Sequence, residues 1–295
     1  MKVKVFAKLN LSLNVFPKVG NFHPIDSIAV SVALWDDVSV KAAKTKAVTV
    51  RGCNDIPLEK NSAYKAACAF VQRFDTNGCD ILIKKHIPQG CGLGGSSADA
   101  AAVVACMCRL YNVDKNSLEV AELCAQLGSD VNFMLHGGMS RMRGKGDDLE
   151  FFANYPRLFF ALTLFDSPLS TAQVYSRFDQ LGSDAPCDND LLSTLLQNEQ
   201  TKQALPMFSN GLQLAAESLL PEKTAAAVAR YKQVCASRGF ACHMTGSGSA
   251  YFVAFATKEE ADFAAKLLKA EKFDTRSVSY VAWGVETSSF FFKLV

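Results

Sequence analysis

This chain of 295 residues has no long apolar run, few histidines, no paired cysteines and no concentration of charge, and each lack closes off a class of function. The longest apolar run, Leu158–Phe165, falls far short of the roughly 20 residues that a helix needs to cross a bilayer. Basic residues number 31 against 29 acidic ones, with no basic cluster, so there is no electrostatic footprint for nucleic acid or an anionic membrane. The ten cysteines include no CxxC, and the only close pair, Cys106 and Cys108, falls in an apolar helical stretch. His86, His136 and His243 have no partner at ligand spacing and read as structural. Neither a zinc site nor a disulfide frame is indicated, and the thiols predict a protein of the reducing cytoplasm. The expected ligand is a small molecule.

What is present is apolar patterning sufficient for one large core or two moderate ones, since 49% of the residues are hydrophobic. Two domains are expected, residues 1–152 and 153–295. Residues 2–16 alternate as strand, with Leu9, Leu11 and Leu13 on one parity and Lys8, Asn10 and Ser12 on the other. Residues 28–40 read as further strand, broken at Asp36-Asp37. Helices are expected at 62–74 behind an Asn61 or Ser62 cap, at 98–110, at 117–127 with Gly128 as stop, at 224–237 and at 258–270. Strands fall at 79–87, 158–165, 251–255 and 278–283, with a hairpin over 139–152 and an exposed loop from Ser183 to Asp190. Strands and helices mixed with hairpins predict an α+β fold rather than a doubly wound parallel sheet.

The densest chemical signal is Ile87–Ala102, IPQGCGLGGSSADAAA, a Gly/Ser run between a strand and a helix. Gly90, Gly92, Gly94 and Gly95 remove side chains where a polyphosphate must approach the backbone. The following helix start would add unpaired N–H groups and a positive dipole end, and Ser96 and Ser97 add hydroxyl donors. The loop fits neither Walker A, for no Gly-Lys-Ser/Thr follows, nor the dinucleotide fingerprint, for no acidic residue ends a strand some 20 residues on. Taken alone, a glycine-rich turn capping a helix explains it as well. Three other segments share its polar, small-residue character. Ala7-Lys8-Leu9-Asn10 projects Lys8 and Asn10 from one strand face, Leu127-Gly128-Ser129-Asp130-Val131 puts a carboxylate at a helix start, and Met244–Ala250 is a second Gly/Ser turn. A surface lysine and an ordinary helix cap explain Lys8 and Asp130 individually.

In their order along the chain, AKLNLSLNV, IPQGCGLGGSSADAAA, LGSDVNFMLHGG and MTGSGSAYFVAF resemble the GHMP kinase superfamily over about the full length. The resemblance implies a two-domain GHMP kinase-like fold, ATP and Mg²⁺ as cofactors, and phosphoryl transfer to an alcohol. Within the superfamily the chain is most similar to the branch acting on 4-diphosphocytidyl-2-C-methyl-D-erythritol in non-mevalonate isoprenoid biosynthesis. By that resemblance Lys8 and Asp130 are the catalytic pair, Asp130 accepting the hydroxyl proton while Lys8 offsets phosphate charge. ATP would be held by Asn61, Pro88, Gly90, Gly92, Leu93, Gly94, Gly95, Ser96 and Ser97. The acceptor would meet Asn10, Phe22, His23, Asp130, Tyr175, Gly246, Ser247 and Gly248, with Phe22 and Tyr175 sandwiching a cytosine whose edge His23 hydrogen-bonds.

Two departures qualify the match. The branch commonly carries GLGGGSSDAA, whereas Gly92–Ala101 reads GLGGSSADAA, with both serines one place early and Asp99 in register. Asn210-Gly211 stands where the branch has an Asn-Asp pair, so that pair receives no role. By the resemblance Ser96 or Ser97 would touch phosphate or Mg²⁺, and no definite metal ligand is named. Another alcohol such as mevalonate or homoserine, or a catalytically inactive nucleotide sensor, are the competing readings. The expected state is a monomer or weak homodimer.

Overall fold

The structure is a computed structural model describing residues 1–53, 56–182 and 186–287. Its first half runs β1 (Lys2–Val15), β2 (Ile25–Ala42), β3 (Thr49–Arg51), α1 (Ser62–Phe74), β4 (Cys79–Lys84), α2 (Gly95–Leu110), α3 (Leu118–Leu127), α4 (Val131–His136), β5 (Met139–Gly144) and β6 (Asp148–Phe151). The second half runs β7 (Phe159–Leu164), α5 (Thr171–Leu181), α6 (Asn189–Gln197), α7 (Thr201–Ala204), β8 (Ser209–Asn210), α8 (Gln213–Glu217), α9 (Glu222–Ser237), β9 (Cys242–Met244), β10 (Tyr251–Phe255), α10 (Lys258–Ala270), β11 (Asp274–Ser279) and β12 (Val285–Thr287). One sheet orders β12-β1-β2-β4-β3, with the β5-β6 hairpin on β2 and β8 on β1; the other orders β11-β7-β10-β9. This is the expected α+β fold.

The long antiparallel pair β1-β2 is the spine of the larger sheet. Both parities of β1 are buried, so Lys8, Asn10, Ser12 and Asn14 lie as deep as Leu9 and Leu11. The polar face anticipated from alternation is covered by the rest of the chain, and Lys8 is only 5% exposed. Register shifts at Phe6/Ala7 and at Asn10/Ser12 locally re-aim β1 on either side of Lys8, as bulges beside functional residues do. Two strands of the C-terminal half, β8 and β12, return to pair with β1. Core residues from both sides of residue 152, among them Phe133, Phe160 and Phe252, pack in one cluster.

Three expectations from the sequence are corrected. The strand of residues 28–40 is not broken at Asp36-Asp37, because β2 runs continuously to Ala42. Asp36 can remain inside a strand, fully buried, because its carboxylate accepts from the main-chain N–H groups of His86 (2.5 Å) and Ile87 (2.9 Å) and from Lys85 Nζ (2.5 Å). The strand expected at 278–283 lies at 274–279, since Asp274–Ser279 pairs with β7, and a further short strand, β12, follows it. Of the loop expected over Ser183–Asp190, Ser183–Ala185 lie outside the described residues, and Asn189 and Asp190 already open α6 behind the Asp188 cap. Asn61 does cap α1, its Oδ1 accepting from Ala63 and Tyr64. Asp36→Ala should therefore cost about 3–5 kcal/mol, the penalty for orphaning a buried charge and its donors. Urea denaturation checks this, and a loss under about 1 kcal/mol would refute it.

Candidate functional site

The glycine loop between β4 and α2 is fastened by its carbonyls. Gly90 O accepts from Leu169 N (3.0 Å), Cys91 O from Ala250 N (3.2 Å) and Leu93 O from Lys8 N (3.1 Å). Three separate parts of the chain thus grip one loop, and the first turn of α2 leaves its N–H groups for a ligand. Gly94, at φ +74°, caps α2, and a Cβ there would lie 2.1 Å from Met134 Cε. Gly92, at φ +77°, packs so closely on the second Gly/Ser turn that a Cβ would lie 2.1 Å from the Thr245 carbonyl oxygen.

Beside this loop Lys8 Nζ lies 3.7 Å from Asp130 Oδ2 and donates to Asn10 Oδ1. Asn10 is 4% exposed and fully engaged. Its Oδ1 also accepts from Gly246 N (3.1 Å), its Nδ2 donates to Ser27 Oγ (2.8 Å), and its main-chain N–H donates to Thr245 Oγ1 (2.9 Å). Asp130 occupies the cap position of α4 but makes no capping bond, so its carboxylate is left to the cleft. Burial of Lys8 and the absence of that bond set aside the readings of surface lysine and helix cap.

One cleft of about 1030 Å³ takes in Lys8, Asn10, Phe22, His23, Pro88, Gly90, Gly92 to Ser97, Asp130, Tyr175, Gly246 and Ser247. Asn61 and Gly248 are not on its wall. Asn61 is spent as the cap of α1, and Gly248 packs behind the turn, where a Cβ would lie 2.9 Å from Met244 Sδ. At the far end Tyr175 is buried enough to push its hydroxyl up to about 12, with the Asp130 charge adding to the effect. His23 stands against it with ring centres 5.3 Å apart. Both His23 nitrogens already meet protein atoms, Nδ1 the Phe16 carbonyl (3.0 Å) and Nε2 the Asp179 carboxylate (3.1 Å).

Several lining residues were not singled out from sequence. Lys85 reaches the cleft from the end of β4, paired with Asp36 and with Asp99 (2.8 Å). Burial raises Asp99 to about 7 against the pull of Lys85. Burial works against the Lys85 ammonium too, but Asp99 and Asp36 outweigh it and hold it above its ordinary value. Lys145, at the β5-β6 hairpin tip, sits over the Phe22 ring at 4.8 Å. The Gly-Lys-Gly of that tip was the available signal for Lys145; nothing local marks Lys85. Asn210, given no role above, donates from Nδ2 to both Met244 O and Gly246 O (2.9 Å each) and so shapes the second Gly/Ser turn. His243 packs against Phe208 and Phe252, and burial lowers it to about 4, which fits a structural role.

A protein of Desulfitobacterium hafniense (strain Y51) named 4-diphosphocytidyl-2-C-methyl-D-erythritol kinase is 31% identical over 261 residues, covering 87% of this chain and 88% of its own. This chain belongs to that kinase family. A namesake from Cutibacterium acnes is 34% identical over 235 residues, 75% of this chain and 76% of its own. Residues 61–139, which hold the loop and Asp130, match the GHMP kinases N terminal domain. A crystal structure of 4-(cytidine 5'-diphospho)-2C-methyl-D-erythritol kinase superposes with a TM-score of 0.77 at 25% identity, covering 95% of this chain and 99% of the other. A homoserine kinase from Cytophaga hutchinsonii superposes at 0.74 with 18% identity, covering 97% of this chain and 96% of the other, which shows a shared fold. Family membership makes the chain an ATP-using kinase.

Gly92→Ala forces a side chain into a left-handed, occupied position, so it should lose more than about 1 kcal/mol of stability. It should also weaken ATP binding in calorimetric titration. Gly239→Ala, at φ +70° but with open space around its Cβ, should leave ATP binding unchanged. Equal effects of the two would detach the loop from nucleotide binding.

Proposed function

We propose that this kinase transfers the γ-phosphoryl group of ATP to the 2-hydroxyl of 4-diphosphocytidyl-2-C-methyl-D-erythritol, a step of non-mevalonate isoprenoid precursor synthesis. The observation that carries the reading is the Lys8–Asp130 pair, 3.7 Å apart, in one cleft with the glycine loop and the Phe22 and Tyr175 rings. A phosphate donor at the loop and an alcohol acceptor beneath the aromatic end would meet at that pair.

Phosphoryl transfer needs the acceptor hydroxyl in line with the γ-phosphorus, a site for its proton and cations against the spreading charge. Asp130 faces the cleft and would take the proton. Lys8, fixed by Asn10, would stand against the transferring group, and the α2 N-terminus with the loop N–H groups would hold the β- and γ-phosphates. Phe22 and Tyr175 would flank the cytosine, with Gly246 and Ser247 against the substrate diphosphate.

The donor set fits Mg²⁺ arriving with ATP. Among the described residues no group of three or more His, Cys, Asp or Glu could cage a metal. Mg²⁺ on a nucleotide takes most of its ligands from phosphate and water and needs only one or two protein oxygens, which Ser96, Ser97 and Asp130 offer on the cleft wall. The metal would supply charge neutralisation at the phosphates. A soluble, cytoplasmic setting and a monomeric or weakly dimeric state accompany this proposal, as does the absence of a nucleic-acid partner.

ADP release with the cytidyl substrate, mevalonate and homoserine in parallel tests the acceptor. Turnover with the cytidyl substrate alone is expected; turnover with either other alcohol, or none with any, would overturn the reading. Asp130→Asn should lower kcat by about 10²–10⁴ with the fold intact. Phe22→Ala should raise KM for the cytidyl substrate while leaving KM for ATP in place, and equal changes would remove the stacking assignment.

A further inference from the structure

We infer that a second cavity, across the end of β1 from the catalytic cleft, is a binding site for an uncharged nitrogen heterocycle that carries an amide edge. The inference does not rest on the function proposed above.

The cavity encloses about 340 Å³ and shares no lining residue with the cleft. Alternation along β1 makes the partition: Leu13 lines the cleft, and Asn14, pointing the other way, lines the cavity. Asn210 and Gly211 contribute to the same wall. The Asn210 amide holds Met244 O and Gly246 O, so the cavity lies directly behind the turn whose Gly246 faces the cleft. Its volume falls at the small end of ligand pockets, suited to one ring system rather than a nucleotide.

The polar wall is largely satisfied from within. Asn14 exchanges two bonds of 2.8 Å with the main chain of Cys187. Glu217 accepts from Lys232 Nζ at 2.9 and 3.0 Å, from Gln213 Nε2 at 2.8 Å and from the Tyr251 hydroxyl at 2.5 Å. A carboxylate only accepts, so the Gln213 amide nitrogen faces Glu217 and its oxygen is the free end. Left open on this wall, among the described residues, are Gln213 Oε1, one N–H of Lys232 and the ring edge of His243.

Charge then decides the class of ligand. Lys232 and Glu217 cancel, and His243, lowered to about 4 by burial against Phe208 and Phe252, is neutral at pH 7. An anion would have to draw Lys232 off Glu217, and a cation would meet a carboxylate already fully used. Either would leave a half-buried charge without its partner. An uncharged molecule disturbs neither. Gln213 Oε1 calls for a donor and Lys232 for an acceptor, and a neutral imidazole edge pairs with a group able to do either. An amide or lactam presents donor and acceptor side by side. The rest of the wall includes Phe208, Val15 and Leu214, which give a flat ring its apolar contact.

The probe is nicotinamide, and its control is nicotinate, the same ring with a carboxylate. Saturation-transfer NMR on the full-length protein at neutral pH, with ADP and CDP present to block the cleft, reads binding. Nicotinamide should give a saturable signal that neither nucleotide displaces, and nicotinate should bind at least about fivefold more weakly, as for one lost interaction. His243→Phe, which keeps the aromatic packing, and Gln213→Leu should each weaken nicotinamide about fivefold while kcat and both KM values stay within about twofold. Should His243→Phe fail to fold, Gly211→Asp, at a backbone position that is not left-handed, puts a carboxylate on the wall and should weaken the probe in the same way. Displacement by ADP or CDP, no saturable signal, equal binding of nicotinate, or binding indifferent to these variants would overturn the inference.

Discussion

Asn10 is the point at which the parts of this enzyme are held together. One buried amide accepts from Lys8 and from Gly246 N, donates to Ser27 on the neighbouring strand, and sits where its own main chain donates to Thr245. The cleft lysine, the turn of the second half and the pairing of β1 with β2 at Ser27 all meet at it. An amide can do this because it offers acceptor and donor at once on a short, stiff side chain. Being buried, each bond it makes is expensive to leave unmade. The register of β1 on β2 is regular from Ala7 through Asn10 and shifts only outside that stretch.

The glycine loop depends on a second buried set of charges. Asp36 holds the main chain of His86 and Ile87 and pairs with Lys85, which in turn reaches Asp99 and the Gly95 carbonyl at the start of α2. The loop is therefore fixed at its carbonyls from outside and at its flanks by ion pairs from below. A loop so rich in glycine would otherwise lose much entropy on ordering around a ligand. Fixing it beforehand moves that cost from binding to folding.

The GHMP-like order of short motifs was legible in sequence because such motifs are local. A Gly/Ser loop before an apolar helix, a lysine and asparagine two apart on a strand, and an acid at a helix start need no knowledge of what lies across the fold. The elements whose periodicity is strong, such as Ser62–Phe74 and Lys258–Ala270, fell where expected. Asp36-Asp37 misled because two consecutive acids look like a break, and the donors that satisfy Asp36 arrive from residues 50 positions away. Lys85 was silent for the same reason: next to Lys84 at a strand end it looks like solvent charge, and only the closure of β2 on β4, which brings Asp36, and the packing of α2, which brings Asp99, give it two buried partners. Asn61 and Gly248 show the converse case. Both sit in motifs that the resemblance marked, yet local duties, a helix cap and tight packing, account for both in this conformation.

Charge placement, rather than net charge, prepares this cleft for polyanions. The chain carries a formal net charge of only +2, so no long-range field draws phosphate in. Lys8, Lys18, Lys85 and Lys145 nevertheless all open on one cleft, and they arrive from β1, the turn after it, the end of β4 and a hairpin tip. Three acids, Asp99, Asp130 and Asp179, stand among them. Asp99 and Asp130 each pair with a lysine, so that two of these cations, in a partly desolvated space, are balanced before any ligand enters.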